Sequence, residues 1–153
     1  MKRWGFSRWL YAFEAILFGV PSFVIAFLAV SMGLLWVANL VHGVPEVFSS
    51  RTPPEQWRYF LQIASPGLTI ASTVAGLMAL VVLSGHYLSA GARAIKSIGT
   101  GWWIALAVGM LVAARFVVDK ITTGGYGVTE DVWLAAIAGL VPAVHLFIVK
   151  LRR

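Results

Sequence analysis

Four ionisable side chains stand inside the long apolar runs of this sequence, namely Glu14, His86, His145 and Arg115. Ionisable groups are costly inside a membrane, so each of them raises a functional hypothesis. Histidine takes part in proton transfer and ligates metals, and a neighbouring carboxylate can hydrogen-bond to it. Glu14, His86 and His145 therefore form a candidate intramembrane polar cluster. Arg115 lies one helical turn before Asp119, and these two residues are a candidate ion pair in the outer leaflet.

Three kinds of chemistry are open to the candidate cluster. Glu14 can hydrogen-bond one or both histidines and lock a helix bundle, which is the interpretation that we favour. Alternatively, the cluster relays protons or binds a cation, or His86 and His145 are the axial ligands of a haem. The sequence supports these two alternatives only weakly, because it has neither a helical His pair nor a haem-attachment motif. We expect no cofactor and no metal. For Arg115 we favour a side chain that reaches up to the outer headgroups.

Motifs for catalysis are missing from the sequence. The chain has no cysteine, which excludes disulfides, cysteine-based zinc sites and thiol catalysis. Serines such as Ser84 and Ser89 are scattered, and no serine elbow or metal motif surrounds them. The glycine-rich run at 122–127 lacks the lysine and the strand–helix context of a phosphate-binding loop, so it predicts a flexible turn. The sequence therefore predicts that the protein is not an enzyme.

The elements that must position these residues are membrane helices. Of the 153 residues, 59% are hydrophobic and only 12% are charged, whereas about a quarter of a soluble domain is charged. The apolar runs are long and unbroken, which favours helices over a membrane barrel. We predict one all-α domain, 1–153, a polytopic four-transmembrane-helix bundle with spans at about 10–41, 66–90, 101–118 and 132–149. The first run is too long for a cleaved signal peptide, and Pro21 is expected to kink it.

The basic residues predict how the bundle is oriented. Eight of them fall on one side of the predicted membrane, and no acid accompanies them: Lys2, Arg3, Arg8, Arg93, Lys96, Lys150, Arg152 and Arg153. The positive-inside rule then puts both termini in the cytoplasm, and tryptophans at both ends of the spans agree with it. We expect a bacterial inner membrane protein whose inner side contacts anionic lipid heads. The net charge of +6 does not indicate nucleic acid, because no basic domain stands free of the membrane.

The predicted orientation brings Glu14, His86 and His145 to one depth, about 6 Å below the inner interface. Small residues share the helix faces of both histidines, and small residues mark close helix contacts in membranes. Both histidines are therefore expected to point into the bundle.

The first outer loop, about 42–65, is the largest segment outside the predicted membrane. Thr52, Pro53 and Glu55 form a good helix start, which predicts a short amphipathic helix at about 53–64. Its apolar face carries Trp57, Phe60, Leu61 and Ala64. We favour a helix that lies on the outer leaflet over a docking surface for an outer partner.

These features favour a small membrane protein that acts by binding other membrane proteins. It would be an accessory or assembly subunit, or an immunity protein against a membrane-acting toxin, and its partner would be another membrane protein or a second copy. Paired small residues in the spans favour such helix contacts. The alternative is a small oligomeric transporter or channel subunit, in which Glu14, His86 and His145 bind the ion or proton.

Overall fold

A computed structural model describes residues 5–50, 52–123 and 130–152 of the chain, and they form helices joined by short connections. The helices are α1 (Phe6–Ser50), α2 (Pro53–Ala90), α3 (Ala92–Lys96), α4 (Thr100–Thr123) and α5 (Glu130–Leu151). The predicted all-α class is therefore confirmed for these residues. Most of the predicted glycine-rich turn at 122–127 lies outside the described residues, as do Lys2, Arg3 and Arg153.

The helix α2 begins where the sequence predicts a helix start. The Thr52 backbone N–H donates a hydrogen bond of 3.1 Å to the Glu55 carboxylate, and Pro53 occupies the first helical position. A proline fits there because its missing N–H would have no intrahelical acceptor. The helix ends at Ala90, and Gly91 follows with a φ of 83°, a backbone conformation that favours glycine.

The predicted outer loop and its separate amphipathic helix are not found as such. The helix α1 continues to Ser50, and residues 53–64 are the first part of α2, so that only residues 51 and 52 join the two helices. The second span is predicted to begin at about residue 66, but Pro66 lies inside α2. A proline removes one helical hydrogen bond, and apolar membrane helices tolerate that loss.

The four long helices pack in a ring. α1 contacts α2 and α5, and α4 contacts the same two helices from the opposite side. Among the described residues, three helices are long and apolar enough to cross a membrane, over Pro53–Ala90, Thr100–Thr122 and Leu134–Leu151. The remaining long helix, α1, has 45 residues.

The tightest packing of the described residues lies at the end of the bundle that carries α3. A buried cluster there joins all five helices, with Tyr11, Leu83, Ile95, Leu106 and Leu146 among its members. This core fixes the start of α1 and the ends of α2 and α5, where Glu14, Tyr87 and His145 lie.

Two glycines permit a close crossing of α2 and α4. A Cβ on Gly76 would lie 2.5 Å from the Gly109 Cα, and a Cβ on Gly109 would lie 2.6 Å from the Gly76 Cα. The two backbones are thus in direct contact, as expected where small residues face each other in a membrane.

Candidate functional site

Glu14 and His145 form a hydrogen-bonded pair between α1 and α5. The Nδ1 of His145 lies 2.8 Å from Glu14 Oε2, and the two side chains are only 15% and 17% exposed. An ionised carboxylate can only accept a hydrogen bond, so Nδ1 of His145 carries the proton that it donates. In a neutral imidazole, Nε2 is then left as an acceptor.

Ser7 and Tyr87 continue this pair into a chain of hydrogen bonds. The Ser7 hydroxyl lies 3.3 Å from Nε2 of His145 and 2.8 Å from the Tyr87 hydroxyl. A hydroxyl has one proton to donate. When Ser7 donates to Nε2 of a neutral His145, its oxygen is left to accept a hydrogen bond from the Tyr87 hydroxyl. Four side chains from α1, α2 and α5 are thus linked in the order Tyr87, Ser7, His145, Glu14.

Tyr11 holds this chain of hydrogen bonds against the core. Its ring meets the ring of Tyr87 edge-on with centroids 5.1 Å apart, and the ring of His145 with centroids 5.2 Å apart. Its hydroxyl lies 2.5 Å from Ser84 Oγ, and the Ser84 hydroxyl itself donates to the Leu80 carbonyl. Tyr11 therefore donates to Ser84. We call Ser7, Tyr11, Glu14, Ser84, Tyr87 and His145 the inner polar network.

His86 is not part of the inner polar network, contrary to the expectation that it faces into the bundle. Its side chain is exposed, and its Nδ1 lies 2.9 Å from the Val82 carbonyl of its own helix. The next residue, Tyr87, is buried instead, because successive residues of a helix point about 100° apart. The structure therefore gives no support to the interpretation of His86 and His145 as paired haem ligands.

The described residues also contain no group of three or more His, Asp or Glu side chains that could hold a metal ion. Above the inner polar network, a small cavity of about 100 Å³ lies between the four long helices. Its lining is apolar except for Ser22 and Thr73. The Ser22 hydroxyl donates to the Phe18 carbonyl, and the Thr73 hydroxyl donates to the Thr69 carbonyl. Both hydroxyl protons in this cavity lining are therefore used within their own helices.

Arg115 and Asp119 are paired as their spacing predicts. The Arg115 Nε lies 3.6 Å from Asp119 Oδ2, and the two side chains are 76% and 45% exposed. An exposed pair of this kind contributes little, typically about 0.3–0.5 kcal/mol. The geometry therefore gives the pair a minor structural role.

Basic side chains gather at the end of the bundle that carries α3. The Lys96 ammonium donates to the Arg152 carbonyl, and the Lys150 ammonium lies 4.1 Å from the centre of the Trp103 ring. Gly91 packs against the guanidinium of Arg8 and has no room for a Cβ. These contacts connect the start of α1 with the segment before α3, and the end of α5 with α3 and α4.

An apolar groove of about 590 Å³ runs between α1 and α2. Its lining includes Ala15, Gly19, Leu77 and Val81, and its inner end is formed by Tyr11 and Ser84 of the polar network. The groove therefore ends beside the ring of Tyr11, which touches His145.

A second exposed apolar surface lies at the opposite end of α2. Trp57 and Phe60 meet edge-on with centroids 5.8 Å apart. They line a shallow depression of about 320 Å³ together with Pro53 and Gln56. Trp57 is 68% exposed and Leu61 is 61% exposed. We call Trp57, Phe60 and Leu61 the outer aromatic surface.

Comparison with known proteins does not assign this arrangement to a family. The chain matches no protein-family model, and no curated protein or solved structure is significantly similar to it.

The sequence singled out Glu14 and His145 but not the hydroxyl groups around them. A signal for them was present, because Ser7, Tyr11 and Glu14 are spaced i, i+4, i+7 and so share one helix face. Ser84 and Tyr87 are spaced i, i+3 on α2 in the same way. Polar residues at helical spacing near the inner end of two apolar runs could have indicated the inner polar network.

Proposed function

We propose that this chain is an integral protein of the bacterial inner membrane that crosses the bilayer four times and acts by binding another membrane protein. Three apolar helices and the 45-residue α1 support the four spans. The gathering of Arg8, Lys96, Lys150 and Arg152 at one end of the bundle supports a cytoplasmic position for that end.

The length of α2 supports a surface for a partner outside the membrane. The helix has 38 residues, and at 1.5 Å per residue it is about 57 Å long. The apolar core of a bilayer is about 30 Å thick. With the span at 66–90, residues 53–65 extend about 20 Å beyond it. Because residues 53–65 continue the same helix as the span, they project from the membrane and do not lie flat on the outer leaflet.

The single observation that carries the proposal is the outer aromatic surface. Trp57, Phe60 and Leu61 are exposed on the part of α2 that extends beyond the proposed span. Exposed apolar patches rimmed by polar residues are typical of protein–protein contacts, and aromatic residues dominate the binding energy of such contacts. The partner would be a membrane complex that the chain helps to assemble, or a membrane-acting toxin that it blocks as an immunity protein.

The alternative function, a small transporter or channel subunit, has weaker support. The pair of Glu14 and His145 provides a site for an ion or proton, but the cavity above it is nearly apolar. Proton flux through vesicles containing the protein that is lost in Glu14→Gln would favour this alternative. Equal flux in both proteins would exclude it.

Site-specific photocrosslinking tests the docking proposal. A photoreactive amino acid at Trp57 should give one discrete adduct with another membrane protein in native membranes. The same amino acid at the exposed Gln62, which lies about 140° around the helix from Trp57, should give none. Phe60→Ala with Leu61→Ala should reduce the adduct at position 57. Equal adducts at 57 and 62, or an adduct only with a second copy of the chain, would contradict the proposal.

A further inference from the structure

The arrangement of Ser7, His145 and Glu14 matches the order of groups in a serine hydrolase triad. The Ser7 hydroxyl is 3.3 Å from Nε2 of His145, and Nδ1 of the same ring is 2.8 Å from Glu14 Oε2. In such triads the hydroxyl meets one ring nitrogen and the carboxylate meets the other, and the arrangement is recognised by geometry rather than by chain order. Ser7 is exposed, so a substrate can reach its oxygen.

We propose that Ser7, His145 and Glu14 form an acyl-transfer site that cleaves the acyl esters of membrane glycerolipids at the inner face of the bilayer. Ser7 is the nucleophile, His145 is the general base and acid, and Glu14 is a positioning residue. The inference goes beyond the docking function, does not depend on it, and departs from the sequence-based expectation that the protein is not an enzyme.

The reaction proceeds in two steps, acylation of Ser7 and hydrolysis of the acyl-serine. The Ser7 oxygen attacks the ester carbonyl carbon while its proton passes to Nε2 of His145. The ester C–O bond then breaks, and the leaving alcohol takes the proton from His145. Water attacks the acyl-serine, gives a proton to His145 and releases a carboxylic acid, and the same proton returns to the Ser7 oxygen. Glu14 holds the ring in the required tautomer and stabilises the imidazolium that forms in both steps.

Tyr87 is placed to stabilise the charge that develops on the carbonyl oxygen. Its hydroxyl lies 2.8 Å from Ser7 Oγ and can donate to it, and its side chain is almost fully buried. Once the Ser7 oxygen bonds to carbon, this donor is free for the neighbouring oxyanion. The Ser7 backbone N–H is a second donor, because it lies in the first turn of α1, where N–H groups have no intrahelical acceptor. Donors fixed in position before the reaction are among the strongest contributors to catalysis.

The groove between α1 and α2 determines the class of substrate. Its volume of about 590 Å³ falls within the range of roughly 300–1,000 Å³ that is usual for ligand pockets. Its lining is almost entirely apolar, and its inner end is Tyr11, one helical turn from Ser7. An acyl chain in this groove would place its carbonyl carbon toward Ser7.

A fluorophosphonate probe tests the site, because it reacts with an activated serine. The full-length protein in phosphatidylglycerol vesicles should carry the adduct on Ser7, as mapped by mass spectrometry, and should release free fatty acid. Ser7→Ala should abolish both. His145→Ala should slow labelling by roughly 10²–10⁴-fold, the usual contribution of a general base.

Matched controls separate catalysis from structure. His86→Ala and Ser89→Ala remove the same side-chain types outside the network and should leave labelling unchanged. Glu14→Gln should slow labelling of the folded protein, and Glu14→Asp, which keeps the carboxylate, should label faster than Glu14→Gln. A purely structural role of Glu14 would not predict this partial recovery of the labelling rate. Absence of a Ser7 adduct on folded wild-type protein, or absence of fatty acid release that depends on Ser7, would overturn the proposal. Both readouts are independent of crosslinking at Trp57.

Discussion

The crossing of α2 and α4 depends on two glycines, and Gly76→Ala tests how closely the helices approach. The added Cβ would lie 2.5 Å from the Gly109 Cα, whereas carbon atoms in favourable contact are about 3.5–4.0 Å apart. The obstacle is backbone, which cannot rotate away, so the helices must separate by about 1 Å. Overpacking of this kind typically costs about 1–3 kcal/mol.

The control for this substitution lies on the same helix. A Cβ on Gly85 would meet no atom within 4 Å, and alanine favours a helix over glycine by about 1 kcal/mol. Gly85→Ala should therefore leave the stability unchanged or raise it slightly. The difference between the two variants isolates the contact with α4 from the change in helix propensity.

Thermal unfolding in a mild detergent provides the measurement. A difference of 1 kcal/mol shifts the Tm of a chain of this size by about 2–4 °C, so the Tm of Gly76→Ala should lie several degrees below that of Gly85→Ala. The relaxed contact should also make α2 and α4 more accessible to protease. If Gly76→Ala and Gly85→Ala had the same Tm, the close approach of α2 and α4 would be refuted.

Three further substitutions test the packing and the ion pair. Tyr11→Phe keeps the ring contacts but removes the hydrogen bond to Ser84, so it should lower the free energy of unfolding by about 0.6 kcal/mol, and a double-mutant cycle with Ser84→Ala should recover that coupling. A coupling energy of zero would contradict the hydrogen bond between Tyr11 and Ser84. Arg115→Ala should change stability by less than about 0.5 kcal/mol, and a larger loss in a detergent titration would mean that the pair is buried. Leu146→Ala removes a fully buried side chain and should lower the free energy of unfolding by about 2–5 kcal/mol. Ile148→Ala, at a half-exposed position, should cost much less. Equal unfolding curves for the two variants would contradict the position of the core.

The all-helical fold could be predicted from the sequence because lipid leaves few alternatives to long apolar helices. The contact between Glu14 and His145 could be anticipated in part, since orientation alone puts both residues at one depth. Depth does not fix the direction of a side chain around its helix. His86 is an example, because it lies at the predicted end of its span but is exposed, whereas its neighbour Tyr87 is buried.

The outer part of the chain was harder to predict for a different reason. A helix start at Thr52 and Pro53 is a local signal, and it is found where the sequence places it. Whether the helix then stops at Pro66 depends on two opposing effects. The proline removes one helical hydrogen bond, whereas the apolar residues after it favour a continuous helix. The helix continues, so local patterns gave the start of α2 but not its length. The partners of Ser7 lie 80 and 138 positions away, and no local pattern contains that information.

The absence of cysteine from the chain makes one direct test of the proposed four-span arrangement straightforward. Single cysteines at Gln62, Leu68 and Ser97 can be treated with a membrane-impermeant maleimide in intact spheroplasts and after lysis. Four spans with both termini in the cytoplasm predict labelling of position 62 in intact spheroplasts, protection of position 68, and labelling of position 97 only after lysis. Labelling of position 97 in intact spheroplasts, or protection of position 62, would contradict the arrangement on which both the outer aromatic surface and the inner polar network depend.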